Sequence, residues 1–261
     1  EFPLRLVGSE MCIRDRTGNE FDDPSFMSPT RQVFLGTDYI GRDVLSRIMW
    51  GARTTIGISF VATILAYIVG IFLGVTAAVA GKWTDAILSR SIEVVLSFPS
   101  IMLGLITIAA FGSSIPILIV LSGLIYAASV FRIARALSLD IIVQDFVEVT
   151  RARGEGLWWI ITREVLPNIA MPLATDFGIR LIFIILFISS LSFLGLGVQP
   201  PISDWGSMVR ENLQGLANGF SGGAIATIAP ALAIASLTIA INIIIDDISA
   251  HDGGSLSGKM V

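Results

Sequence analysis

The side chains able to do chemistry in this 261-residue chain are few, and most stand alone. His251 is the only histidine, so a Ser–His pair or a His-held metal would have to use it, yet it sits beside Asp252 in a Gly/Ser-rich stretch. Cys12 has neither a disulfide partner nor metal-ligand companions. Gly253-Gly254-Ser255-Leu256-Ser257-Gly258-Lys259 has the outline of a phosphate-binding loop. That loop needs a strand before it, a helix after it and a hydroxyl for Mg²⁺, and Met260 takes the hydroxyl position. The apolar segments hold no HExxH and no repeated carboxylate spacing. No catalytic residue, cofactor or metal is expected, and any energy must come from another chain. Glu93 is a charge inside an apolar run, a functional candidate by default, but Arg90 at i−3 reads as its ion-pair partner.

What remains is a long polar interruption, 138–168, between segments that could each cross a bilayer. Its centre is Asp145-Phe146-Val147-Glu148-Val149-Thr150-Arg151-Ala152-Arg153-Gly154, followed by Leu157-Trp158-Trp159 and Leu166-Pro167-Asn168. Glu148–Arg153 is a run of helix formers, and Gly154 and Gly156 punctuate it, so a bend is expected there. Leu157–Val165 supports a second helix, which Pro167 should end by pushing Leu166 out of the α region. Such an element lies flat at a membrane surface, with Trp158 and Trp159 at headgroup level.

The elements around it are membrane spans. Apolar residues make up 54% of the chain and charged ones 15%, with a mean hydropathy of +0.80. This is membrane composition, and a net charge of −4 argues against a nucleic-acid partner. A bilayer core takes about 20 apolar residues as helix. Five runs qualify: 55–80, 87–111 with Pro99 as a kink, 115–136, 177–198, and 224–245 with Pro230 near its start. They look almost free of ionisable groups, and Gly70-x-x-x-Gly74 should admit a close neighbour. Residues 31–54 read as a lead-in, with an amphipathic helix from Asp43 to Arg53 too short to span. Residues 1–30 are a polar leader without periodicity, read as non-native, and 249–261 form a polar tail.

The acid at Glu148, the glycine six residues later and the Leu-Pro about a dozen after that resemble the coupling loop of ABC-transporter permeases. Gly36-Thr37-Asp38-Tyr39-Ile40-Gly41-Arg42-Asp43 and Ser192-Phe193-Leu194-Gly195-Leu196-Gly197 are similar to the dipeptide/oligopeptide importer subfamily. The resemblance runs from about Leu35 to Asp247. It implies an all-α polytopic membrane protein with a cytoplasmic coupling helix. Family members begin with one further span, so the family's first helix is expected to be missing here. It also implies that Asp145, Phe146, Glu148, Arg151, Gly154, Leu166 and Pro167 belong to a loop docking on an ATPase. Val149 and Thr150 stand in place of the usual alanines, and Glu164 where a histidine is common.

Orientation follows from arginines. Arg132, Arg135, Arg151, Arg153 and Arg163 crowd 131–163, whereas 199–223 holds only Arg210. The coupling loop and C-terminus are therefore expected in the cytoplasm of a cell-membrane protein, and 199–223, with Trp205 as an anchor, outside. Alternation then puts Arg42, Arg47 and Arg53 outside, against the same rule. The expected partners are a second permease, two cytoplasmic ATP-binding subunits, an extracytoplasmic solute-binding protein and membrane lipid. The expected cargo is a di- or oligopeptide, with nickel and oligosaccharides carried by similar permeases. A secondary transporter should show broken spans and midplane charges. A membrane assembly subunit would give no reason for a bent loop.

Overall fold

The computed structural model describes residues 25–29, 34–219 and 221–257. Cys12, Lys259 and nearly all of the expected leader lie outside the described residues. Among those described, regular structure is helical, apart from one isolated antiparallel bridge between Thr37 and Asp43. In order the helices are α1 (Val44–Ala80), α2 (Lys82–Leu96), α3 (Ser100–Phe111), α4 (Ile115–Ile142), α5 (Asp145–Ala152) and α6 (Leu157–Trp159). A π-helical turn (Ile160–Val165) leads into α7 (Leu166–Phe193), and α8 (Trp205–Ala217) and α9 (Ser221–Ser257) follow. Among the described residues four segments are long and apolar enough to cross a membrane: Val44–Ala80, Ile115–Ile142, Leu157–Phe193 and Gly222–Asp247. α2 and α3 make a fifth span only as a broken pair, because they bend by 84°.

Several boundaries differ from those expected. The amphipathic lead-in is not a separate helix. The Asp43 carboxylate accepts from Leu45 N and Ser46 N, and from Val44 onward nothing breaks the turn before Ala80. Pro99 does not kink a helix but separates two. It has no N–H to donate, it takes an extended ψ of 128°, and α3 starts after it. Leu166 stays helical at φ −54°, ψ −46° despite Pro167. The wider π turn in front of it shifts the hydrogen-bond register, so the missing proline N–H costs little there. The second coupling-loop helix therefore runs into the fourth span without a break. At the far end α9 continues to Ser257, so Gly253–Ser257 is helix rather than a phosphate-binding loop.

The chain clusters into two compact units. The first comprises the described parts of Glu1–Ile58, with Ser113–Ile115 and Ile185–Thr238. Asp204 caps α8 here in a full capping box with Ser207, and burial pushes the Asp204 carboxyl up against its hydrogen bonds. Trp205 is an anchor inside the protein rather than in a surface loop. It is 5% exposed, and its Nε1 donates to the Ile48 carbonyl at 2.8 Å. The Ser192–Gly197 motif ends α7 with Gly195 at φ +85°, where an added Cβ would fall 2.5 Å from the Arg210 guanidinium.

In the second unit (Ser59–Gly112, Pro116–Ile184, Ile239–Val261) α1 packs on α4 through its two glycines. A Cβ on Gly70 would lie 2.6 Å from Val130 Cβ, and one on Gly74 2.7 Å from the Phe131 carbonyl. This glycine pair is therefore used inside the chain. The spans are also less free of charge than expected. Asp176 and Arg180 pair at 3.2 Å on α7, and the Tyr67 hydroxyl donates to Asp176 at 2.6 Å. Phe177 meets the Tyr67 ring edge-on at 5.0 Å. Between α2 and α4, Arg135 grips Asp85 through both guanidinium branches, Nη2 at 2.6 Å from Oδ2.

Candidate functional site

The polar interruption folds as a helical hairpin. α5 has one buried stripe, Val147 and Thr150, and both are fully inaccessible. Ile160 and Val165 of the returning π turn are buried as well. The α5 exit is a Schellman turn. Gly154 N donates to Arg151 O at 3.0 Å, Glu155 N donates to Thr150 O at 3.4 Å, and Gly154 takes φ +83°. Gly156, by contrast, is extended at φ −73° and only precedes α6. The bend thus belongs to one glycine.

Side chains tie the two arms. The Thr150 hydroxyl lies 2.9 Å from the Phe146 carbonyl and 3.2 Å from Glu164 Oε1, and it accepts from Arg153 Nη2 at 3.2 Å. Two of the three positions where the chain departs from the coupling-loop pattern, Thr150 and Glu164, are therefore hydrogen-bonded to each other. Sequence spacing alone gave no sign of it, because they stand fourteen residues apart.

Of the residues singled out beforehand, Asp145, Phe146, Glu148, Arg151 and Gly154 all lie exposed on the outer face and bend of the hairpin. Pro167 is exposed and Leu166 half-buried where the hairpin enters α7. Apolar groups accompany them outward: Phe146 is 42% exposed, Val149 57% and Trp158 67%. Leu157, Trp158 and Ile161 also border an apolar groove against Ile68, Phe72 and Thr76 of α1, of about 610 Å³. The site holds no catalytic arrangement. No group of three or more His, Cys, Asp or Glu able to hold a metal occurs among the described residues.

Residues 67–250 match the family described as the binding-protein-dependent transport system inner membrane component. The chain belongs to this family. Relatives of this transport family include the glutathione transport system permease protein GsiD of Pectobacterium atrosepticum. It is 32% identical over 194 residues, covering 74% of this chain and 64% of the relative. The dipeptide transport system permease protein DppC of Alkalihalophilus pseudofirmus is 32% identical over 186 residues, 71% of this chain and 61% of its own. The chain thus spans somewhat under two thirds of the length of these relatives. In fold it is similar to a chain of the MetNI methionine ABC transporter in an inward-facing conformation. That match has a TM-score of 0.61 at 20% identity and covers 79% of this chain and 96% of the other. Membership in this transport family accounts for the all-helical membrane fold.

Proposed function

We propose that the chain is a permease subunit of an ABC importer, forming half of a solute path, with ATP hydrolysis on separate cytoplasmic subunits. The observation that carries this reading is the hairpin itself. Its buried stripe holds α5 on the π turn, and Phe146, Val149, Asp145, Glu148 and Arg151 face outward, uncovered by any of the described residues. A mixed charged and apolar helix face of this kind suits a groove in another protein. The hairpin continues directly into a span, so movement of one displaces the other.

A second permease and an external binding protein complete the reading. On α9, Thr238, Asn242 and Asp246 recur every fourth residue, the first half-buried and the other two exposed. A side-chain amide in lipid costs several kcal/mol. This face is therefore assigned to the other permease. The relatives carry glutathione and dipeptide in their names, which supports a peptide-like cargo.

Phe146→Asp tests the docking role. It should leave the chain inserted while weakening co-purification of the ATP-binding subunits roughly tenfold, as expected for a central apolar anchor. Undiminished co-purification and uptake in proteoliposomes would remove the hairpin from the interface.

Orientation has its own measurement. The cytoplasmic placement of the hairpin had one objection, the arginines at 42, 47 and 53. In the fold Arg47 is only 2% exposed and bound to Asp38 and Glu211, and Arg42 binds the same two acids. Arg53 sits over the Trp50 ring at 4.9 Å. Two of the three are thus tied into a packed charge network, but they still count as cations on that side, so the orientation rests on the larger arginine cluster of 131–163. Single cysteines at the exposed positions Glu155 and Ile202, in a Cys12→Ser background, should react with an impermeant maleimide from opposite sides. Reaction of both from outside intact cells would reverse the orientation. Ser207 is unsuited to this labelling, since it is 8% exposed and part of the α8 capping box.

A further inference from the structure

A groove of about 630 Å³ with polar walls lies between α2 and α4 and shares no lining residue with the hairpin. Ser89, Glu93 and Ser97 line it from one side and Arg132 and Arg135 from α4, where Phe131 also borders it. Its charges can be followed one by one. Arg135 is satisfied by Asp85. Arg90 and Glu93 pair at 3.0 Å, through one oxygen of Glu93. Arg132 has no carboxylate within salt-bridge distance among the described residues, and it is exposed. The groove therefore carries one uncompensated guanidinium opposite a carboxylate with an oxygen to spare.

Such groups do not face hydrocarbon. Charged side chains on spans line water-filled paths or pair with one another. None of the α2 residues is buried in the chain, so its polar face is free to line such a path. We infer that this groove is a station for a small zwitterionic solute, whose carboxylate is held by Arg132 and whose ammonium group by Glu93. The inference rests on the permease reading and adds the site and charge type of the cargo. A guanidinium binds a planar carboxylate through two parallel N–H bonds, better than a point charge does. The volume falls in the range of small-molecule sites. A purely anionic group would meet Glu93 as a like charge, whereas a zwitterion satisfies both walls. A phosphatidylethanolamine headgroup has the same pairing of oxyanion and ammonium, so the test separates the two sources.

The probe is Ser97→Cys in the Cys12→Ser background, within the assembled complex. Its reaction is timed with methanethiosulfonates bearing either a sulfonate or a trimethylammonium group. The sulfonate reagent should react roughly tenfold faster than the cationic one, and Arg132→Gln should remove that preference while Arg132→Lys keeps part of it. Millimolar Ala-Ala should slow the reaction, and its N-acetylated, C-amidated form should not. The slowing should be equal in vesicles of phosphatidylcholine alone and in vesicles containing phosphatidylethanolamine. Protection that appears with phosphatidylethanolamine and without peptide would give the groove to a lipid headgroup and overturn the proposal. So would a Ser97→Cys variant that does not react, or rates indifferent to Arg132→Gln. Labelling is read on this chain whether or not transport occurs. Absent uptake by the wild-type complex would count against the permease reading separately.

Discussion

Gly154→Val is expected to abolish solute-stimulated uptake while leaving the protein inserted and its spans packed. The reason lies in one backbone angle. Gly154 sits at φ +83°, and an added Cβ there would touch nothing within 4 Å. The whole cost is therefore conformational. An L-residue in the left-handed region costs about 1–2 kcal/mol, and a β-branched one more. Relaxing that strain means giving up the two hydrogen bonds of the Schellman turn, Gly154 N to Arg151 O and Glu155 N to Thr150 O. The angle between α5 and the π turn then changes, and with it the face that carries Phe146 and Glu148. Proteoliposomes of the assembled complex give the measurement, with ATP hydrolysis and uptake read on the same preparation. Hydrolysis should persist with uptake lost. Gly154→Asn should be much milder, because asparagine tolerates the left-handed region. Wild-type uptake by the valine variant would show that the bend is not needed for coupling.

That glycine was legible in the sequence because its requirement is local: a helix stop of this geometry needs a residue without Cβ. The spans were legible for a similar reason, since hydropathy is a property of each segment. Their ends were less so. Pro167 disfavours a helical Leu166, but a π turn absorbed the conflict, and nothing in Ile160–Val165 announces that turn. Pro99 was recognised as disruptive, yet whether a proline bends a helix or parts two depends on what packs on either side. The charge pairs were the least visible. Arg180 was overlooked inside the apolar run 177–198 and Asp176 just before it, although their i, i+4 spacing could have flagged them. Arg135 with Asp85, and Thr150 with Glu164, are fixed only by the packing of separate helices. The arginines near the start of α1 show the same limit in reverse. Counted one by one they run against the expected orientation, and nothing in their spacing shows that Arg42 and Arg47 share Asp38 and Glu211.

Asp38→Ala should cause the largest loss of stability of any single change considered, about 3–5 kcal/mol, the usual cost of breaking a buried charge pair. Asp38 is wholly buried in the Gly36–Asp43 motif. Its Oδ1 accepts from Ile40 N at 3.0 Å and Arg42 N at 2.8 Å, which shapes the turn. Its Oδ2 accepts from Arg42 Nε at 2.8 Å and Arg47 Nη1 at 2.7 Å, which ties that turn to the first helical turns of α1. Glu211 closes the network from α8, 2.9 Å from Arg47 and 3.3 Å from Arg42. Alanine at 38 leaves two guanidinium groups sharing one half-buried acid, with Arg47 shut away from water. Purified protein in mild detergent, heated at a fixed scan rate, should then unfold well below the wild type. Replacing both ends of the buried pair, Asp38→Ala with Arg47→Met, should recover much of that loss, since no buried charge is stranded and the methionine fills the space. If the single variant unfolds where the wild type does, the four charges do not hold the motif to α1 and α8. If the double variant is as unstable as the single one, the backbone hydrogen bonds of Asp38 Oδ1 matter more than its ion pairs, and the role of the motif is to shape a turn rather than to clamp one.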